Sequence, residues 1–448
     1  MSITKKSLLL IIILLYIIPT FIQANYSETN TIEGVYVGLP IMQSGDEPHY
    51  YLTLYSLVND GDVFLTNNYD NAIYNDGPDA GSKKLTPYDR HSRFFDSVNR
   101  NIISIPMVDG LRDLSYTTEV DSYIKEIPGH PLGLPFFAYM FLFPFKNTSI
   151  LEHIAIFLTF VFSLLGILVF YKLMLFYHNN KKIAILFTGL FALATQYWYY
   201  SKTFWAEPYL ASFLIISWYL IVSKKSLFAY IVSGILLGFG FLIKLPFLLL
   251  IFPFYIYLLH SYITKTINLK QGIVFSIPIT TSLLGVLCLN YYFTKNPFMF
   301  DKMDSLGFIL PFRPLTNWFF SLRFGLFVFS PVLLFAFLGI KRFWKKYSIH
   351  CLCLGLMMGL YILFWTTHNS DMALGGGGGY SGRYLVPIVP LFAVFCSFYN
   401  KVNYNKYLFY ILLGISFFIN ITAAFAYPTF IDTSIVSSFE KIIGFLLG

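Results

Sequence analysis

Two adjacent carboxylates, Asp46 and Glu47, stand in Gly45-Asp46-Glu47-Pro48-His49-Tyr50, about twenty residues past the first membrane-length apolar run. A carboxylate so placed can take a proton from a hydroxyl or orient one. Asp and Pro also favour turns and helix starts, so ordinary loop chemistry is the plain alternative. Arg383 follows a tract of consecutive glycines, Gly375–Gly379, in Tyr380-Ser381-Gly382-Arg383-Tyr384. At the start of a membrane helix its guanidinium can hold two phosphate oxygens near the N-terminal amides, or it is an interfacial arginine on a flexible hairpin. Lys244 closes a glycine-rich apolar run, either as a snorkelling lysine or as a cation suited to a phosphate. Glu207, in Thr203-Phe204-Trp205-Ala206-Glu207-Pro208, reads as a helix-start acid beside the aromatic belt Tyr197-Trp198-Tyr199-Tyr200, or as a member of the same site.

Other chemistries find no support. There is no Ser-His-Asp ordering, no His-Glu-x-x-His and no Gly-x-x-x-x-Gly-Lys-[Ser/Thr], and His130, His153 and His368 are too scattered for a zinc site. Cys288, Cys351, Cys353 and Cys396 all lie within or beside apolar runs and propose neither a metal site nor a disulfide frame. No metal is assigned.

The elements that must position these residues are membrane helices. The chain is 56% hydrophobic and 12% charged, with a mean hydropathy of +0.63, where a soluble domain carries roughly 25% charged residues. Its net charge of +8 comes from short basic clusters between apolar runs rather than from a nucleic-acid-binding face. Lys5 and Lys6 precede a retained first helix, Ser7–Ala24, and place the N-terminus in the cytoplasm. Residues 25–130 then hold 16 of the 23 acidic residues and 7 of the 31 basic ones, in turn-forming runs with no apolar period, which predicts a large external loop. Within it Pro48–Val58 has near-helical apolar spacing and is expected to lie on the membrane as an interfacial helix. Pro131–Phe145, apolar but short and broken by prolines, reads as a re-entrant segment.

Further spans are expected at about 150–177, 183–200, 205–222, 226–243, 246–262, 271–293, 322–340, 349–367, 383–399 and 405–427. The fold class is therefore an all-α polytopic membrane protein of about eleven or twelve transmembrane helices with a large first extracytoplasmic loop. Residues 1–430 form one membrane unit, and 431–448 form a short amphipathic C-terminal segment. The positive-inside rule orients it, because lysines fall in every second connection: Lys181-Lys182, Lys224-Lys225, Lys265 with Lys270, Lys341-Arg342 with Lys345-Lys346, and Lys401 with Lys406. Asp46, Glu47, His130, Glu207, Lys244, Arg313, His368, Asp371 and Arg383 then all fall on the outer side or at the outer end of a helix. Ionisable groups near a bilayer are costly, so several at one level argue for a shared polar cavity.

The chain carries the Asp46-Glu47 pair after helix one, the proline-containing Gly129-His130-Pro131-Leu132-Gly133-Leu134-Pro135, the run from Gly234 and Gly238 to Lys244, Phe329-Ser330-Pro331, and Gly382-Arg383-Tyr384 ahead of Pro387 and Pro390. Together they resemble the GT-C polytopic glycosyltransferases, nearest to the branch of protein O-mannosyltransferases and bacterial lipid A aminoarabinose transferases. The resemblance implies sugar transfer from a polyprenyl-phosphate-linked donor, with inversion, on the extracytoplasmic face of the plasma membrane. The acceptor is a lipid, glycan or protein. By that resemblance Asp46 is the general base on the acceptor, Glu47 orients the acceptor or helps hold a divalent cation, and Arg383 and Lys244 stabilise the departing phosphate; Glu207, His130, His368, Asp371 and Arg313 are further candidates on the same face. The long Asn- and Asp-rich first loop and the glycine tract depart from the pattern. A transporter or lipid-linked-sugar flippase is the competing reading, motivated by span number and glycine interruptions. Against it, the polar residues gather at one face rather than at the midplane. A surface-polysaccharide polymerase or ligase usually keeps its large loop late in the chain.

Overall fold

Apolar runs and their punctuation decide where helices begin and end. The computed structural model describes residues 5–26, 32–38, 42, 46–71, 73–75, 82–84, 92–99, 101–103, 107–108, 111–112, 124–298, 312–367, 380–399 and 404–425. The chain starts with α1 (Lys5–Phe21), passes through α2 (Glu47–Tyr55) and α3 (Thr66–Asn71), and returns through α4 (Gly133–Leu142). There follow α5 (Leu151–His178), α6 (Lys181–Leu193), α7 (Tyr197–Tyr200), α8 (Ala206–Ser223), α9 (Leu227–Ile243), α10 (Leu248–Ile263) and α11 (Leu269–Thr294). The last third holds α12 (Phe312–Phe320), α13 (Leu326–Phe329), α14 (Phe335–Lys346), α15 (Ser348–Thr367), α16 (Val389–Ser397) and α17 (Tyr404–Phe425). Side-chain caps start three of them: Asn180 accepts from Lys182 and Ile183, Ser226 from Ala229, and Asn268 forms a reciprocal pair with Gln271.

Among the described residues six helices are long and apolar enough to cross a membrane, and four shorter apolar helices, among them Leu227–Ile243 and Arg383–Ser397, accompany them. The chain is an all-α polytopic membrane protein. Some expected spans are broken. Ser330-Pro331 divides 322–340 into α13, a 3₁₀ turn (Pro331–Leu334) and α14, because Pro331 has no N–H to continue the ladder. Likewise α6 stops at Leu193, leaving α7 as a separate turn. The break expected at Lys244 is present: α9 ends at Ile243, and Lys244 is extended (φ −152°, ψ 114°) ahead of Pro246.

α1 stops at Phe21, short of the expected Ala24, and from there into the polar first loop the chain carries short strands that its sequence did not announce. Antiparallel pairs form between β1 (Ile22–Tyr26) and β2 (Ile32–Val37), between β3 (Ile73–Asn75) and β4 (Ser82–Lys84), and between two-residue strands β7 (Met107–Val108) and β8 (Leu111–Arg112). A three-stranded sheet places β5 (Ser92–Asp96) between β6 (Asn101–Ile103) and β9 (Ile124–Pro128). Most are too short to show alternation in a sequence. Phe95 of β5 meets Phe293 of α11 edge-on at 5.2 Å, which docks this sheet onto one end of the bundle. The helix expected at 48–58 exists as α2 with a π-turn after it, but it does not lie free on a surface: Glu47, His49, Tyr50, Leu52, Thr53 and Leu54 are all buried.

Close helix contacts set the height at which α9 ends. A Cβ on Gly234 would stand 2.3 Å from the Phe275 carbonyl oxygen and one on Gly238 2.5 Å from Ser282 Oγ, so this small-x-x-x-small pair lets α9 lie directly against α11. Gly133, three residues after His130, sits against the last turn of α9, where a Cβ would come within 2.2 Å of the Leu242 carbonyl carbon and 2.3 Å of Ile243 N. Those are backbone atoms and cannot swing aside. Gly133→Ala is expected to cost about 1–3 kcal/mol through overpacking, read as a lowered melting temperature in detergent.

The basic connections lie at the other end. The 18 residues of α8 span about 27 Å between Glu207 and Lys224. At the Lys224 end, Gln271 Nε2 donates to Lys225 O (2.6 Å), Lys346 Nζ to Tyr177 O (2.9 Å), and His178 meets Ser397 Oγ (2.8 Å).

Candidate active site

At the end of the bundle away from those lysines, segments distant in sequence bring charged side chains into one chain of contacts. Asp46 occupies the N-cap of α2 without bonding the helix amides. Its Oδ2 lies instead 3.0 Å from Arg383 Nη1, and its Oδ1 lies 3.7 Å from His130 Nε2. Arg383 Nε is 3.7 Å from Glu207 Oε1, and the same oxygen accepts from Lys244 Nζ at 2.5 Å. Carboxylate and cation alternate: Asp46, Arg383, Glu207, Lys244. Their charges sum to zero, which lowers the cost of holding them in low dielectric. Arg383 and Glu207 are buried, whereas the Asp46, His130 and Lys244 side chains keep 22%, 17% and 16% exposure. A ligand therefore reaches those three first.

Aromatic rings hold the cations in place. The guanidinium lies over Trp205 at 3.8 Å, and Nη2 donates to Tyr384 Oη at 3.2 Å. Lys244 Nζ sits 3.9 Å above the Tyr384 ring, which stacks on Trp365 at 4.1 Å, and Tyr50 packs against His130 at 4.9 Å. Such faces stabilise cations at partly desolvated sites.

Glu47 turns elsewhere. Fully buried, it accepts the Phe204 backbone N–H and so ties the start of α2 to the loop leading into α8. Lys202 of that loop, also buried, donates to the Ala424 carbonyl. Burial lowers its pKa from 10.5 to about 7, with the Glu47 charge opposing that shift. The folded protein thus holds this proton less tightly than the unfolded chain, so Lys202 makes stability rise with pH between about 7 and 10.5 and fall as pH drops through that window. Lys202→Met is expected to flatten that part of a melting temperature–pH profile.

No family model and no curated protein matches the chain. Among solved structures, ArnT from Cupriavidus metallidurans in the apo state aligns with a TM-score of 0.52 over 98% of this chain and 74% of its own, at 11% identity. The chain has a GT-C-like fold. ArnT from the same organism bound to undecaprenyl phosphate aligns at 0.48, with 12% identity, over 98% of this chain and 75% of its own.

Within this GT-C-like fold the expected outer-face residues part into groups. Asp46, His130, Glu207, Lys244 and Arg383 come together. Glu47 is adjacent in sequence but faces the 203–205 loop. Arg313 falls in the first turn of α12, with no described side chain, while His368, Asp371, Gly375–Gly379 and 431–448 lie outside the described residues. Among the described residues no group of three or more His, Cys, Asp or Glu is arranged to hold a metal ion, and Asp46 and Glu47 turn to different partners rather than presenting a joint chelate. Sequence reasoning passed over Trp205, Tyr384 and Lys202. Lys202 did carry a signal, being a lysine in a connection where the positive-inside rule expects none.

Proposed function

We propose that this protein is a membrane glycosyltransferase that moves a sugar from a polyprenyl-phosphate-linked donor to an acceptor hydroxyl at the extracytoplasmic face of the plasma membrane. The observation that carries the reading is Asp46: a partly exposed carboxylate 3.0 Å from a buried guanidinium, in one contact chain with Lys244. Asp46 takes the acceptor proton as the acceptor oxygen forms its bond to the anomeric carbon, while the bond from that carbon to the phosphate oxygen breaks and the electron pair leaves with the phosphate. Attack opposite the leaving group inverts the anomeric centre. Lys244, the more exposed cation, meets the phosphate, and Arg383 aims Asp46 and adds positive potential. Glu47 serves this reading as the anchor of α2 rather than as a group that touches the acceptor.

The test is transfer of isotope-labelled sugar from polyprenyl phosphate in membranes carrying the protein. Label entering a lipid, glycan or protein fraction supports the proposal and identifies the acceptor class. Movement of intact labelled donor across vesicles without transfer would replace it with a transport function.

A further inference from the structure

A groove unrelated to the charged network opens between α10 and α11. It has a volume of about 550 Å³ and is lined by Tyr255, Leu259, Tyr262, Ile273 and Ile277 among others. That size lies within the roughly 300–1,000 Å³ of small-molecule pockets. Its walls occupy the part of α10 remote from Lys244 and the first half of α11, from Leu269 to Thr281, which covers about 20 Å of rise. One leaflet of a bilayer with a roughly 30 Å core accounts for most of that length. The groove therefore belongs to the leaflet at the lysine end, opposite the charged network.

Its lining is apolar in effect. Ser276 Oγ donates to the Gly272 carbonyl and Thr281 Oγ1 to that of Ile277, both at 2.9 Å, so these hydroxyls are committed to their own helix. Gly272 lines the groove and faces open space, since a Cβ there would meet nothing within 4 Å. The residues flanking the lining at this end are basic. Lys265, on the connection between the two helices and held in the left-handed region (φ +56°), and Lys270, in the first turn of α11, both stand exposed beside the lining residues Ile267 and Leu269. Gln271 Nε2 binds Lys225 O at 2.6 Å and brings the exposed Lys224-Lys225 pair alongside. Neither connection contains an acidic residue.

From this pairing of an apolar slot one leaflet deep with flanking lysines, we infer that the groove holds an acyl chain of an anionic phospholipid whose phosphate is met by Lys265 and Lys270. The site is a lipid-binding position separate from donor and acceptor chemistry. It fastens the α10–α11 pair, whose helices otherwise pack on different neighbours, to the leaflet at the lysine end.

Native mass spectrometry of the full chain released from detergent micelles, titrated with phosphatidylglycerol or phosphatidylcholine, tests this. Phosphatidylglycerol is expected to occupy one preferred position ahead of phosphatidylcholine. At about fivefold per lysine, the double variant Lys265→Gln/Lys270→Gln is expected to weaken that position about 25-fold. Gly272→Leu fills the groove without touching the lysines and is expected to weaken it as well, whereas Lys341→Gln/Lys345→Gln leaves it unchanged. Equal binding of the two lipids, full retention of phosphatidylglycerol in the Lys265/Lys270 variant, or an equal loss in the Lys341/Lys345 variant would overturn the proposal. So would displacement of phosphatidylglycerol from this position by polyprenyl phosphate at equal concentration.

Discussion

Asp46→Asn is expected to lower sugar transfer by about 10²–10⁴-fold while the protein still accumulates in membranes. The substitution is nearly isosteric, and its remaining side-chain oxygen can still accept from Arg383 Nη1 where Oδ2 now lies at 3.0 Å. What disappears is the capacity to take a proton. The buried guanidinium keeps Glu207 at 3.7 Å, so folding does not depend on the lost charge alone. Asp46→Glu sharpens the comparison: it restores a carboxylate but moves it by about one methylene, and positioning errors of that order cost roughly a hundredfold. Initial rates with labelled polyprenyl-phosphate sugar, normalised to protein in the membrane, give the answer. A variant Asp46→Asn within threefold of wild type would remove Asp46 from the chemistry.

The second large effect is at Arg383, and it is on stability as well as rate. Arg383 is the central cation of the network: it faces Asp46 through Nη1, Glu207 through Nε and the Tyr384 hydroxyl through Nη2, with its flat face on Trp205. Arg383→Ala leaves Glu207 with Lys244 alone and Asp46 with His130 at 3.7 Å. Breaking a buried ion pair from one side costs about 3–5 kcal/mol, and transfer is expected to fall to background. Arg383→Lys is not a rescue, because an ammonium can neither span Asp46 and Glu207 in the plane of a fork nor stack flat on Trp205. Melting temperature in detergent and transfer rate are read together. If Arg383→Lys matched wild type in both, the fork geometry would be irrelevant.

Under the proposed function the two variants also separate two jobs at this end of the bundle. Asp46→Asn removes a proton acceptor from a standing frame, and Arg383→Ala removes part of the frame. A GT-C-like fold suits both, since the groups come from helix ends and connecting segments held at one level by packing below them. Gly133 against Leu242, and Gly234 and Gly238 against α11, fix where α9 stops and hence where Lys244 stands.

Much of this arrangement is legible in the amino-acid sequence. Runs of apolar residues are long and unambiguous when the solvent is lipid, so the limits expected for α5, α8, α9, α10, α11, α15 and α17 lie within a few residues of those observed. The alternating lysines put Glu207, Lys244 and Arg383 at the same end as Asp46, because basic connections are retained on one side of a membrane. Local sequence fails where the outcome depends on a partner. The strands of the first loop pair across gaps that two- to six-residue stretches do not encode. Ser330-Pro331 breaks an expected span because the missing proline N–H outweighs hydropathy at that point.

The pair Asp46-Glu47 shows the division most clearly. By itself the sequence determined that two carboxylates begin a helix outside the first span, ahead of a proline that starts helices well. It did not determine that they would part. Successive positions on a helix point about 100° apart, so two neighbours start out aimed at different partners. Tertiary packing decided which does: the Phe204 amide lay within reach of Glu47, the Arg383 guanidinium within reach of Asp46, and each carboxylate went to the donor that its direction allowed.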